Sequence, residues 1–151
     1  MTRRYDHTQY GVIHYALYVL AAFLVATPFA RSADEPGVEI LMIVMAIVFA
    51  VLGAAFARLR VTEERDGVRI AFGPLPLASR RLRFADVRDA RPGRSTLLDG
   101  IGIHWVPGRG WIWNVRGGEC VEVDLVDGRT LRIGTDDAEG LAALLREHAT
   151  S

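Results

Sequence analysis

The sequence predicts an α+β membrane protein. An N-terminal hairpin of two transmembrane helices (residues 1–57) precedes a cytoplasmic domain (residues 58–151), a small antiparallel β-barrel closed by a C-terminal helix. Three observations carry this. First, half of the 151 residues are hydrophobic and the mean hydropathy is +0.18, although 24% are charged. Those values fit together only if apolar and charged residues are segregated, and the long apolar runs do fall before residue 58. Second, from Arg58 onward hydrophobicity alternates with period two between Gly and Pro breaks. Third, after residue 136 the period becomes helical.

The apolar runs come first. Gly11 to Ala30 carries no charge, with His14 as its one ionisable group. A second run reaches Ala57 with Glu39 at its outer edge, giving spans of about 11–30 and 39–57. A helix of about 20 apolar residues crosses the roughly 30 Å hydrocarbon core. Helix is the form an isolated span takes, because its backbone amides find no water there. Two such runs in so short a chain leave little other protein to bury them. Tyr5, Asp6, His7 and Gln9 are a poor start for a cleaved signal peptide. The polar stretch Arg31 to Gly37 reads as a tight helix–helix turn. Arg3 and Arg4 before the first run, and Arg58, Arg60 and Arg65 after the second, outweigh the lone Arg31 between them. The expected topology therefore puts both termini in the cytoplasm, in a cell inner (plasma) membrane.

Small residues recur every four positions in both runs: Ala22, Ala26 and Ala30 in the first, Ala46, Ala50 and Ala54 in the second, with Gly53 adjacent. This spacing lets helices approach closely, within the hairpin or against a partner helix. His14 is expected to snorkel to the interface beside Tyr10, Tyr15 and Tyr18.

In the β-rich part, Leu59 and Val61 alternate with polar neighbours, as do Val68, Ile70 and Phe72 after Asp66-Gly67. Asp-Gly predicts a hairpin whose turn uses the positive φ that glycine supplies. Gly73 to Pro76 breaks the pattern. Leu82 and Phe84, then Val87 to Arg91, follow as short strands, the latter ended by Pro92-Gly93. Gly102 to Val106 and Trp111 to Val115 flank Pro107 to Gly110, and Cys120 to Val126 meets Leu131 and Ile133 across Asp127-Gly128. The total is seven or eight short antiparallel strands, a pattern of small barrels or sandwiches. The last element is a helix over about 136–148. Asp136 and Glu139 form its capping box, and Leu141, Leu144 and Leu145 its apolar stripe.

Three segments carry a family resemblance: Val61 to Ile70, Arg83 to Arg88, and Gly128 to Leu141, where a strand ending in Ile-Gly-Thr-Asp runs into the capped helix. The chain resembles bacterial two-transmembrane-helix membrane proteins with a C-terminal pleckstrin-homology-like (PH-like) domain. That resemblance implies a PH-like barrel and a membrane-tethered binding module, some relatives of which self-associate. It does not imply phosphoinositide binding. The first hairpin offers only Arg65 and Arg69 beside Glu63, Glu64 and Asp66.

Composition narrows the function. All 18 basic residues are arginine, against 18 Asp and Glu, so net charge points to no nucleic-acid partner. The single cysteine, Cys120, excludes an internal disulfide and a multi-cysteine metal site, and reads as an inert strand thiol. His7, His14, His104 and His148 share no ligand spacing, and no nucleophile elbow or complete dinucleotide fingerprint occurs. The expectation is a non-enzymatic interaction module without metal or cofactor. It would contact an unknown membrane or envelope protein or a second copy of itself. One alternative is a sensor of anionic head groups through Arg80, Arg81, Arg83, Arg88, Arg91 and Arg94. Another is an accessory subunit of a larger membrane complex. Trp111 and Trp113 share a strand face and line either the core or an exposed patch for a partner or the lipid interface.

Overall fold

A computed structural model of the chain describes residues 4–30, 36–74, 78–96 and 101–149. Residues 31–35 of the expected inter-helix turn and part of the Gly73 to Pro76 break lie outside the described residues, as does the side chain of Ala30; Pro36 and Gly37 of that expected turn already belong to α2. The elements run β1 (Asp6–Tyr10), α1 (Ile13–Ala30), α2 (Pro36–Ala55), β2 (Arg58–Glu64), β3 (Gly67–Phe72), β4 (Ala78–Arg83), a 3-10 turn (Phe84–Asp86), β5 (Val87–Ser95), β6 (Gly102–Val106), β7 (Gly110–Asn114), β8 (Gly118–Leu125), β9 (Thr130–Gly134) and α3 (Ala138–Glu147). The fold is mixed α+β.

The described strands form two sheets, ordered β1-β2-β3-β4 and β5-β8-β9-β7-β6, and are not hydrogen-bonded into one closed barrel. One core lies among the two sheets and α3. Leu59, Val61, Val68, Ile70 and Phe72 supply it from the first sheet, Val121, Val123, Leu131 and Ile133 from the second, and Leu141 and Leu145 from α3. These residues are the alternate positions of each strand and the stripe of the helix, as the two periods require.

Several expectations are corrected. The β part does not begin at residue 58. The polar segment Asp6–Tyr10 is a strand paired antiparallel with β2, from Asp6 opposite Thr62 to Tyr10 opposite Arg58. The helical hairpin is thus inserted between two neighbouring strands. Not every pair is antiparallel, because β7 runs parallel to β9. Pro92-Gly93 does not end β5, which continues to Ser95. Here β5 is the edge strand, where a missing proline N–H removes no ladder bond.

Gly67 is not a turn glycine. The turn is Arg65-Asp66, and Gly67 opens β3 with an ordinary φ. Its role is steric, since a Cβ there would lie 2.1 Å from the Leu82 carbonyl oxygen on β4. Phe84 belongs to the 3-10 turn and not to a strand. The cap of α3 is Asp137, whose carboxylate accepts from the Gly140 N–H at 3.1 Å, while Asp136 engages the His7 ring instead.

Candidate functional site

Candidate contact surfaces are positioned by the way the hairpin joins the sheets. The Gly11 N–H donates to the Ala57 carbonyl at 2.9 Å, extending the β1–β2 ladder to the foot of the helices. A Cβ on Gly11 would lie 2.5 Å from the Phe56 carbonyl oxygen and 3.1 Å from that of Val115, so only glycine lets the chain pass there. The Phe56 ring meets Phe72 edge-on at 5.9 Å, and Phe72 meets Trp113 at 5.7 Å. An aromatic line therefore runs from the end of α2 into the core. The hairpin stands on the sheets through hydrogen-bonded strands and packed rings.

Within the hairpin the helices run antiparallel. Gly53 faces Tyr18, where a Cβ would sit 2.6 Å from the ring, and the Thr27 hydroxyl approaches Met42 Sδ at 3.9 Å. Of the small residues expected to pack, Ala46 and Gly53 are buried and Ala54 is half-buried. Ala22, Ala26 and Ala50 stay exposed, lining with Ala21, Ala46 and neighbouring apolar side chains a groove of ≈ 460 Å³. The buried Ala21 is a packing residue outside the expected repeat. His14 does not snorkel. It is 8% exposed, its Nδ1 is buried without a partner, and its ring lies 3.9 Å from that of Tyr15 and 5.7 Å from that of Tyr18.

The six arginines expected to form one basic face are distributed over two sheets. Arg80, Arg81 and Arg83 are on β4; Arg88, Arg91 and Arg94 are on β5. Carboxylates hold three of them: Arg81 with Glu64 at 2.6 Å, Arg83 with Asp86 at 2.7 Å, and Arg91 with Asp124 at 2.6 Å and Glu122 at 3.1 Å. The hydrogen bond from Arg83 holds the Asp86 carboxyl below its usual range. Arg80 is different. Burial first, then the charge of Arg129, push its guanidinium down, and Asp127 opposes this. Arg88 and Arg94 are exposed, Arg88 at a register shift in β5.

Trp111 and Trp113 point to one face but have different surroundings. Trp113 is core against Phe72, whereas Trp111 is exposed opposite Trp105 on the edge hairpin. Cys120 is buried on β8 opposite Gly134. Among the described residues no group of three or more His, Cys, Asp or Glu is arranged to hold a metal ion.

The geometry adds a surface that the sequence reading used only for orientation. Arg58 and Arg60 share the outward face of β2 with Thr62, and across the ladder Thr62 stands opposite Arg69. With Ala71, Gly73 and Pro74 they line a pocket of ≈ 200 Å³ three residues beyond the end of α2. The alternating Arg58-Leu-Arg60 after an apolar run was its sequence signal. Adding Arg69 required the register.

Among the described residues α2, with mean hydropathy 2.7, has the length and composition of a membrane-crossing helix, and the Ile13–Pro28 segment of α1 is a shorter apolar helix. No protein-family model matches the chain, and no curated protein does.

Proposed function

We propose that this protein is a non-enzymatic, membrane-anchored interaction module of the bacterial plasma membrane. In this reading α1 and α2 cross the bilayer as a hairpin with both termini in the cytoplasm, and the β domain is a PH-like module that binds another protein or a second copy of itself. The observation that carries the reading is the outer surface of the hairpin. Only 11% of the α2 span is buried, and Ile40, Leu41, Ile43, Ile47 and Val51 point outward together with Val19, Phe23 and Val25 of α1. A continuous apolar surface of that kind requires a cover, and hydrocarbon supplies one. The 18 residues of α1 rise about 27 Å, close to the thickness of the hydrocarbon core.

The PH-like assignment rests on the order of elements: strands in two sheets, then one amphipathic helix buried in their common core. The added strand β1 and the parallel β7–β9 pair are departures from a plain meander. A second reading, the accessory subunit, draws on the alanine-lined groove of the hairpin, which would admit a partner helix closely. The reading as a lipid sensor through the β4–β5 arginines has less support, because Glu64, Asp86, Glu122 and Asp124 already neutralise half of them.

The test is alkaline extraction of membranes containing the full chain. Retention in the pellet, with crosslinked species that include a partner or a dimer, is expected. A monodisperse chain recovered without detergent would overturn the anchor.

A further inference from the structure

We propose that the pocket lined by Arg58, Arg60, Thr62 and Arg69 at the foot of the hairpin binds the phosphate of an anionic phospholipid head group. This rests on the reading of α1 and α2 as membrane spans. Given that reading, the position follows from the chain itself. Helix α2 ends at Ala55, so Arg58 stands at head-group depth, and Gly11 and Ala57 lock the strands there by a hydrogen bond. Phe56 and Ala57 alone separate the helix from the strand that carries Arg58.

The chemistry points the same way. Alternation puts Arg58, Arg60 and Thr62 on one face of β2, and the β2–β3 register brings Arg69 beside Thr62. The small Ala71 and the turn at Gly73 leave the space between them open. Among the described residues only Asp6 answers these three guanidinium groups, and it is taken by Arg60 in a two-toothed contact of 2.8 and 2.5 Å. That hydrogen bond holds the Asp6 carboxyl low, so it stays charged and committed to Arg60. Arg58 and Arg69 have no ion-pair partner among the described residues, and Arg58 Nε is buried without an acceptor. A guanidinium fork matches two phosphate oxygens, and a phosphate would supply the acceptor that Nε lacks. The volume of ≈ 200 Å³ holds one phosphate with a few waters, each occupying about 30 Å³.

The contrast with β4 sharpens the assignment. Register places Ala78 opposite Phe72, near the foot, and Arg83 opposite Gly67, at the far end of β3. Five residues of strand put Arg83 about 17 Å farther out. On these two strands the arginine at the foot without a carboxylate is Arg58; Arg69 stands level with the paired Arg81, and the paired Arg83 lies farthest out.

The test uses the full chain in zwitterionic detergent and reads its thermal midpoint against added phosphatidylglycerol, phosphatidylcholine or inorganic phosphate. Phosphatidylglycerol is expected to raise the midpoint by about 3–6 °C more than phosphatidylcholine. The double substitution Arg58→Gln with Arg69→Gln should abolish that increment. Arg88→Gln with Arg94→Gln, which makes the same charge change on β5, should leave it intact. Because Arg58 is partly buried, Arg69→Gln alone, at an exposed position, serves as the second variant and should lower the increment by half or more. Equal response to the two lipids, or an increment that survives the basal substitutions, overturns the proposal. An equal shift with inorganic phosphate overturns the lipid assignment. A chain that leaves the membrane pellet on alkaline extraction defeats the anchor, whereas a retained chain indifferent to lipid charge defeats only the pocket.

Discussion

The hairpin and the β domain draw on the same apolar residue types and arrange them in opposite ways. In the β domain Val68, Ile70, Leu131, Ile133 and Leu141 are fully buried and charged side chains cover the outside. In the hairpin the buried positions among the described residues are the small Ala21, Ala46 and Gly53 and, at the start of α1, His14, while Leu41, Ile47 and Val51 face outward. The β domain is built to exclude water by packing large side chains together. The hairpin is built so that two backbones approach, with large side chains left for the surroundings. Composition alone does not separate these cases; the side of the element on which bulk is placed does.

The sharpest way to break this comparison is the same deletion in both regions. Leu131→Ala removes a fully buried side chain and is expected to destabilise the chain by about 2–5 kcal/mol. Leu41→Ala removes one that is 59% exposed and is expected to stay within about 0.5 kcal/mol in detergent. Urea midpoints of the two variants in one detergent decide it. A large loss at Leu41 would mean that the outer face of α2 packs on protein.

The next effect is at the seam where the regions meet. Gly11→Ala drives a methyl group into the Phe56 and Val115 carbonyl oxygens and should destabilise by about 1–3 kcal/mol. If the seam is rigid, the loss appears in the β domain as changed Trp113 fluorescence, because Trp113 is joined to Phe56 through Phe72. An unchanged Trp113 signal with a lowered hairpin stability would show that the two regions move independently.

Much of this arrangement was legible in the sequence, and the unread parts share a physical cause. Both helices followed from uninterrupted apolar runs, and β2 to β9 from alternation, with Gly or Pro between most of the strands but not between β2 and β3 or β4 and β5. Strand β1 was invisible, since Asp-His-Thr-Gln-Tyr is short and polar and its partner lies beyond residues 11–57. The parallel β7–β9 pair is likewise a long-range choice without local sign. Gly67, expected in a turn, opens β3, and Pro92, expected to end β5, lies within it, because neighbours across the sheet set their roles. The cap of α3 was missed by one residue, as Asp136 and Asp137 are equal in sequence and differ only in that His7 claims the first. The basal arginine pocket was half legible: Arg58 and Arg60 from alternation, and Arg69 only through the ladder.

The smallest effect is in the pH dependence, and it separates the regions because the resolved titrating groups lie outside the hairpin. Burial works against the charge on Asp136, but the hydrogen bond from His7 holds its carboxyl below the ordinary value of 3.8. Its contribution to stability is therefore complete above that pH and is lost as pH falls through the lowered value in the folded chain. Asp6, held low by Arg60, acts in the same window. Tyr5 acts at the other extreme, its phenol raised above 10.0 by burial and then by the Asp137 carboxylate. A raised value stabilises fully below pH 10 and ceases to do so as pH climbs through the folded value. Asp136→Asn should flatten the acid limb by less than about 1 kcal/mol, because the pair is partly exposed. Tyr5→Phe should flatten only the alkaline limb. Urea midpoints of the full chain between pH 3 and 11 would show both, and an acid limb unchanged in Asp136→Asn would remove the His7 link from the account of how β1 is held against the start of α3.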